Sequence, residues 1–184
     1  MREYANLDTY KILEMMDCLF ERRTDNRDAI SERDLVNEID TLLDANRENA
    51  FARAVSGFGL HDHDSRLILY TLVWHYQIMD DDKVSWHDFK SIVSDQFRAR
   101  SLERQFKKKS IKIAREEIAV PVMTNGMASS GVIHLSTAAK EKLFADIGGC
   151  RENDDEIPLK AVKPEDITPK ELFYNPYEED QVRR

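Results

Sequence analysis

Two cysteines in 184 residues, Cys18 and Cys150, are too few for a disulfide scaffold and suit a reducing cytoplasm. No apolar run approaches the roughly 18 residues needed to span a bilayer, and the polar start MREYANLDTY has no signal-peptide apolar stretch. The expectation is a cytoplasmic chain with no membrane partner. Only 6 glycines and 5 prolines are present, against 41% apolar and 34% charged residues, a balance that reads as globular and helix-rich. A chain of this length is one domain with appendages or two small ones. It buries roughly 70% of its unfolded surface, so neither a metal nor a disulfide is needed to hold it.

The net charge of −8 hides a segregation. Gln96 to Arg115 carries eight bases (Arg98, Arg100, Arg104, Lys107, Lys108, Lys109, Lys112 and Arg115) against one acid, Glu103. The segment is +7 and the remainder −15. Clustered charge raises local potential and steers association, so these eight residues form the candidate surface for a partner or a nucleic acid.

The first third reads as helix. Ile12, Leu13, Met16, Leu19 and Phe20 form one apolar stripe, with Cys18 read as part of it. Ser31, with Asp34 three residues on, caps a second helix, and a third stops at Gly57-Phe58-Gly59. Asp64 to Met79 is apolar on nearly every side and predicts a central core helix. Val84-Ser85-Trp86 is β-prone, a short helix carries Phe89, Ile92 and Val93, and the basic helix runs from about Phe97 to Lys109. Phe97, Leu102 and Phe106 are its expected inward residues. Ile111, Ile113, Ile118, Val120 and Val122 then alternate as a strand would, and Val132, Ile133 and Leu135 form a second β-prone run. The intervening TNGMASSG is expected loop, with Asn125-Gly126 its turn. Ser136 caps a last helix.

Helix, short strand, helix, helix, strand, loop, strand is the order of a winged helix, whose third helix precedes a β-hairpin wing. From Cys150 the composition turns acidic and holds four of the five prolines, as an extended linker does. Glu178 to Arg184 reads as a helix just opening, so the expected chain is cut from something longer.

Other groups have plainer readings. His61-Asp62-His63-Asp64 has metal-ligand residue types, but Asp62 or Asp64 at a helix start is a natural cap, and no metal is expected. His75, His87 and His134 have no nucleophile beside them, and Trp74 and Trp86 read as core and interface aromatics.

The string Ile167-Thr168-Pro169-Lys170-Glu171-Leu172-Phe173-Tyr174-Asn175-Pro176, with Glu178, Glu179, Gln181 and Arg183, resembles the segment just before the ATPase core in bacterial AAA-family ATPases. Upstream, the core helix, the acidic turn, Ser85-Trp86-His87-Asp88-Phe89, the basic helix and Leu135 to Leu143 are similar to the N-terminal region of those proteins. The resemblance spans about Leu60 to Arg184. It implies a pre-motor domain, an ATPase core to follow, and ATP with magnesium for that core alone. The chain departs from the family's motor: Gly57-x-Gly59 lacks the following Lys, and Gly148-Gly149 runs into Cys150-Arg151-Glu152, so no phosphate-cradling loop exists in it. No catalytic residue and no cofactor are expected.

The combined expectation is an α+β chain, mostly helical: a helical subdomain (1–59), a winged-helix-like domain (60–147) and an acidic linker (148–184). Its expected role is a non-catalytic accessory or regulatory domain that recognises a protein or positions its own ATPase core. The alternative is a winged helix that binds DNA through the basic helix and wing. If six of the eight bases neutralised phosphates, log K would fall with log salt at about −5.

Overall fold

The structure, a computed structural model, describes residues 6–25, 30–93, 95–124 and 127–148. The expected linker lies outside these apart from Gly148, as do Cys150 and the Asn125-Gly126 turn. The described chain is α+β and mostly helical, with one small antiparallel sheet. No described helix is long and apolar enough to cross a membrane.

Three helices open the chain: α1 (Thr9–Asp25), α2 (Glu32–Ala45) and α3 (Ala50–Gly57). The Ser31 side chain caps α2 by accepting from the Asp34 N–H, and Asn49 caps α3 by accepting from Phe51 and Ala52. Helix α4 (His63–Gln77), capped by Asp62, is the expected core helix, and Leu67 to Tyr76 are all buried. Trp74 stacks on Phe20 of α1 at 4.7 Å and donates its indole N–H to Asp17 at 2.9 Å. Buried Arg23 of α1 reaches the carbonyls of Ile30 and Ile92 at 2.9 and 2.6 Å. One apolar core therefore takes side chains from both sides of Leu60.

Strand β1 (Val84–Ser85), α5 (Phe89–Ile92), α6 (Gln96–Lys107) and α7 (Lys112–Arg115) lead to a hairpin of β2 (Ala119–Thr124) and β3 (Met127–Leu135), closed by α8 (Thr137–Leu143). The sheet order is β1-β3-β2, with Val84 opposite Ile133 and Ala119 opposite Leu135. Two expectations are corrected here. Ile111 and Ile113 belong to no strand: the chain makes the single turn α7, which buries Ile111, Ile113 and Ala114 together. Met127 to Gly131 is strand rather than loop, because Thr124 pairs with Met127 and draws the following residues into the ladder.

Lys140 of α8 is almost wholly buried, with its ammonium 2.9 Å from Asp82 and 4.9 Å from the centre of the Tyr76 ring. The pair joins the last helix to the turn after α4.

Candidate functional site

The Asp95 side chain caps α6 by accepting from the Arg98 N–H at 2.9 Å, which fixes where the basic helix starts. The helix buries Ala99, Leu102 and Phe106. Phe97, Arg100, Arg104 and Lys108, spaced three or four apart, are left together on the opposite side, and all four are exposed. Phe97 was expected inward and is 81% exposed. It is five residues, about 140° of helical turn, from Leu102, so Ala99 takes the inward place.

Arg98 faces the other way. Its guanidinium donates to Glu32 of α2 at 2.7 and 3.0 Å, and to both carboxylate oxygens of Asp64 of α4, one at 3.1 Å. Gln105 adds a bond to Asp64 at 2.9 Å, and His63 lies 3.2 Å from Glu32. Burial opposes both charges, yet their mutual bonds outweigh it, so the Asp64 carboxyl sits below its ordinary value and the Arg98 guanidinium above its own. The first of the eight candidate bases is thus an internal tie between three helices.

Three others are paired locally. Lys107 meets Glu103 at 2.6 Å, Lys109 meets Glu117 at 2.8 Å, and Lys112 donates to the Gly59 carbonyl at 3.0 Å with Glu116 at 3.5 Å. The Lys109 ammonium holds the exposed Glu117 carboxyl below its usual range. Among the described residues Arg100, Arg104, Lys108 and Arg115 make no ion pair. From Arg100 to Lys108 the helix rises about 12 Å.

Where α6 ends, a pocket of about 260 Å³ opens between it and the sheet. Trp86, Phe106, Ala119, Val120, Pro121 and Ile133 line it, with Lys107, Lys109 and Glu117 among its polar residues. Trp86 was read from sequence as a core or interface aromatic, and it is both buried and part of this wall. No local sequence signal marks this pocket, because its lining comes from separate parts of the chain.

The other candidate groups serve the fold. Of the two candidate caps, Asp62 fills the place, accepting from the Ser65 N–H at 2.7 Å, and Asp64 lies in the first turn. Among the described residues no three His, Cys, Asp or Glu side chains converge as metal ligands. Cys18, read as core, is exposed. Its two-residue offset from Met16 turns it about 200° away from the buried stripe. His75 is buried edge-on against Trp74, His87 lies 3.0 Å from Lys90, and His134 is 3.7 Å from Asp82. A second cleft holds Tyr70, whose hydroxyl donates to Asp40 at 2.6 Å, and burial raises the Tyr70 pKa. The chain matches no protein-family model, no curated protein and no solved structure.

Proposed function

We propose that this chain is a non-catalytic recognition module, an accessory or regulatory domain of the kind that precedes a AAA-family motor. It docks an acidic protein surface, on its own ATPase core or another protein, with the outer face of α6. The observation that carries this reading is Phe97, almost fully exposed beside Arg100 and Arg104. Aromatic and Arg side chains dominate the cores of protein interfaces, whereas a phosphate backbone asks only for cations and polar donors. The order α4, β1, α5, α6, β2, β3, interrupted by the single turn α7, with sheet order β1-β3-β2, supports a winged-helix-like arrangement in which α6 is the third helix and β2–β3 the wing.

DNA binding is the second reading, favoured by the exposed Arg100, Arg104 and Lys108 along about 12 Å of one helix face. Titrating a labelled Glu-rich peptide and a 20-base-pair duplex, each by fluorescence anisotropy, separates the two. Under the protein reading, Phe97→Ser and Arg100→Glu/Arg104→Glu both abolish peptide binding. Duplex binding that survives Phe97→Ser and is lost on charge reversal, with no peptide affinity, would replace it with the DNA reading.

A further inference from the structure

The apolar pocket lies where α6 ends, on the side of the helix that carries Phe106. Its walls are Trp86, Phe106, Val120 and Ile133, and two of its polar residues are lysines. At about 260 Å³ it is below the range of about 300–1,000 Å³ of small-molecule sites, and it suits one large side chain better than a cofactor. An apolar socket with a charged rim has the anatomy of a hot spot, in which a buried anchor is surrounded by groups that exclude water.

The charges say which partner fits. Lys107 and Lys109 belong to the pocket, and Lys108 between them is exposed with no ion pair among the described residues. Glu117 is the one acid of the lining, and it is held by Lys109 in an ion pair whose side chains are 66% and 60% exposed. Such an exposed pair is worth little, so an incoming carboxylate can take the place of Glu117 on Lys109 with small loss.

Resting on the docking reading above, we propose that this pocket receives the apolar or aromatic anchor of an acidic peptide segment, whose flanking carboxylates engage Lys108 and Lys109. Glu117 then acts as an internal competitor for that carboxylate. The proposal accounts for an apolar cavity inside the most basic stretch of the chain, a place where phosphate binding alone gives an apolar wall no role.

The test uses the full chain and two synthetic nine-residue peptides of Glu and Asp that differ only at the centre, Phe or Ser. The Phe peptide is expected to bind at least 10-fold more tightly, and in an NMR titration the Trp86 indole N–H signal moves while that of Trp74, bound to Asp17, stays. Glu117→Gln is expected to tighten both peptides a few-fold, a gain that general damage cannot imitate. Val120→Trp, which fills the socket, is expected to erase the Phe/Ser difference and leave the Ser peptide unaffected. Equal affinity for the two peptides with an unmoved Trp86 signal overturns the pocket proposal and leaves the docking reading standing. If neither peptide binds while the duplex does, both fall.

Discussion

Lys109 and Glu117 are the left-handed residues that follow the ends of α6 and α7, at φ 50° and 54°, and their side chains meet at 2.8 Å. The Ser110 N–H reaches the Gln105 carbonyl and the Lys109 N–H reaches that of Phe106, a Schellman closure with lysine where glycine is usual. Ile118 N–H to the Ile113 carbonyl closes α7 in a similar way. Two successive helices are thus terminated by non-glycine residues whose side chains pair with each other.

Lysine in the left-handed region costs about 1 kcal/mol that glycine does not. Lys109→Gly and Lys109→Ala both delete the exposed ion pair, but only glycine relieves the backbone. The glycine variant is expected to exceed the alanine variant by about 1 kcal/mol in urea denaturation. Equal midpoints would mean that the turn relaxes without strain.

Removing Arg98 leaves Glu32 and Asp64 as facing, largely buried carboxylates. Arg98→Met is expected to cost about 3 kcal/mol, the scale for breaking one partner out of a poorly solvated ion cluster. Adding Glu32→Gln and Asp64→Asn recovers most of that loss. With Arg98 internal and three of the lysines already paired, four of the eight bases make no ion pair among the described residues, so any duplex affinity should vary with log salt at about −3.6 rather than −5.

Burial holds the His75 imidazole below its ordinary range, against the opposing pull of Asp88 and Asp81. The folded state therefore takes up this proton less readily than the unfolded chain does. Its contribution is complete above the unfolded value of about 6.5 and is lost as the pH falls below it. Denaturant midpoints should drop between pH 7 and 5, with a shallower drop in His75→Leu. A further decline near pH 4 belongs to Asp64, whose lowered carboxyl adds stability only while ionised.

Phe97 and Phe106 sit on the same helix with opposite fates. Phe97→Ser should leave stability within about 0.5 kcal/mol, whereas Phe106→Ala should cost about 3–5 kcal/mol. A large loss from Phe97→Ser would place that ring in the core.

How far these features can be read from sequence depends on whether the signal is local. The caps Ser31, Asp62 and Ser136 each bond to an N–H three residues on, so the side chain and its partner are close in sequence and legible there. The α4 core helix is equally plain, because apolar residues on all sides leave it no solvent face. Ile111 and Ile113 are ambiguous in sequence because a spacing of two fits a strand, while burial of Ala114 beside Ile113 belongs to a single helical turn. Met127 to Gly131 carries almost no hydrophobic pattern, and its strand follows from pairing with β2. The basic tract was visible as composition, but its division into an internal Arg98, paired lysines and a free outer face depends on Glu32 and Asp64, 66 and 34 residues away.

The buried Lys140 carries a consequence for chemical reactivity. A side chain packed on Tyr76 and tied to Asp82 is out of reach of an acylating reagent, whereas Lys108, out in solvent, is open to one. Acylation of Lys140 in the native chain must wait until α8 lifts from the turn that holds Asp82, so its labelling rate is a clock for the opening of that helix.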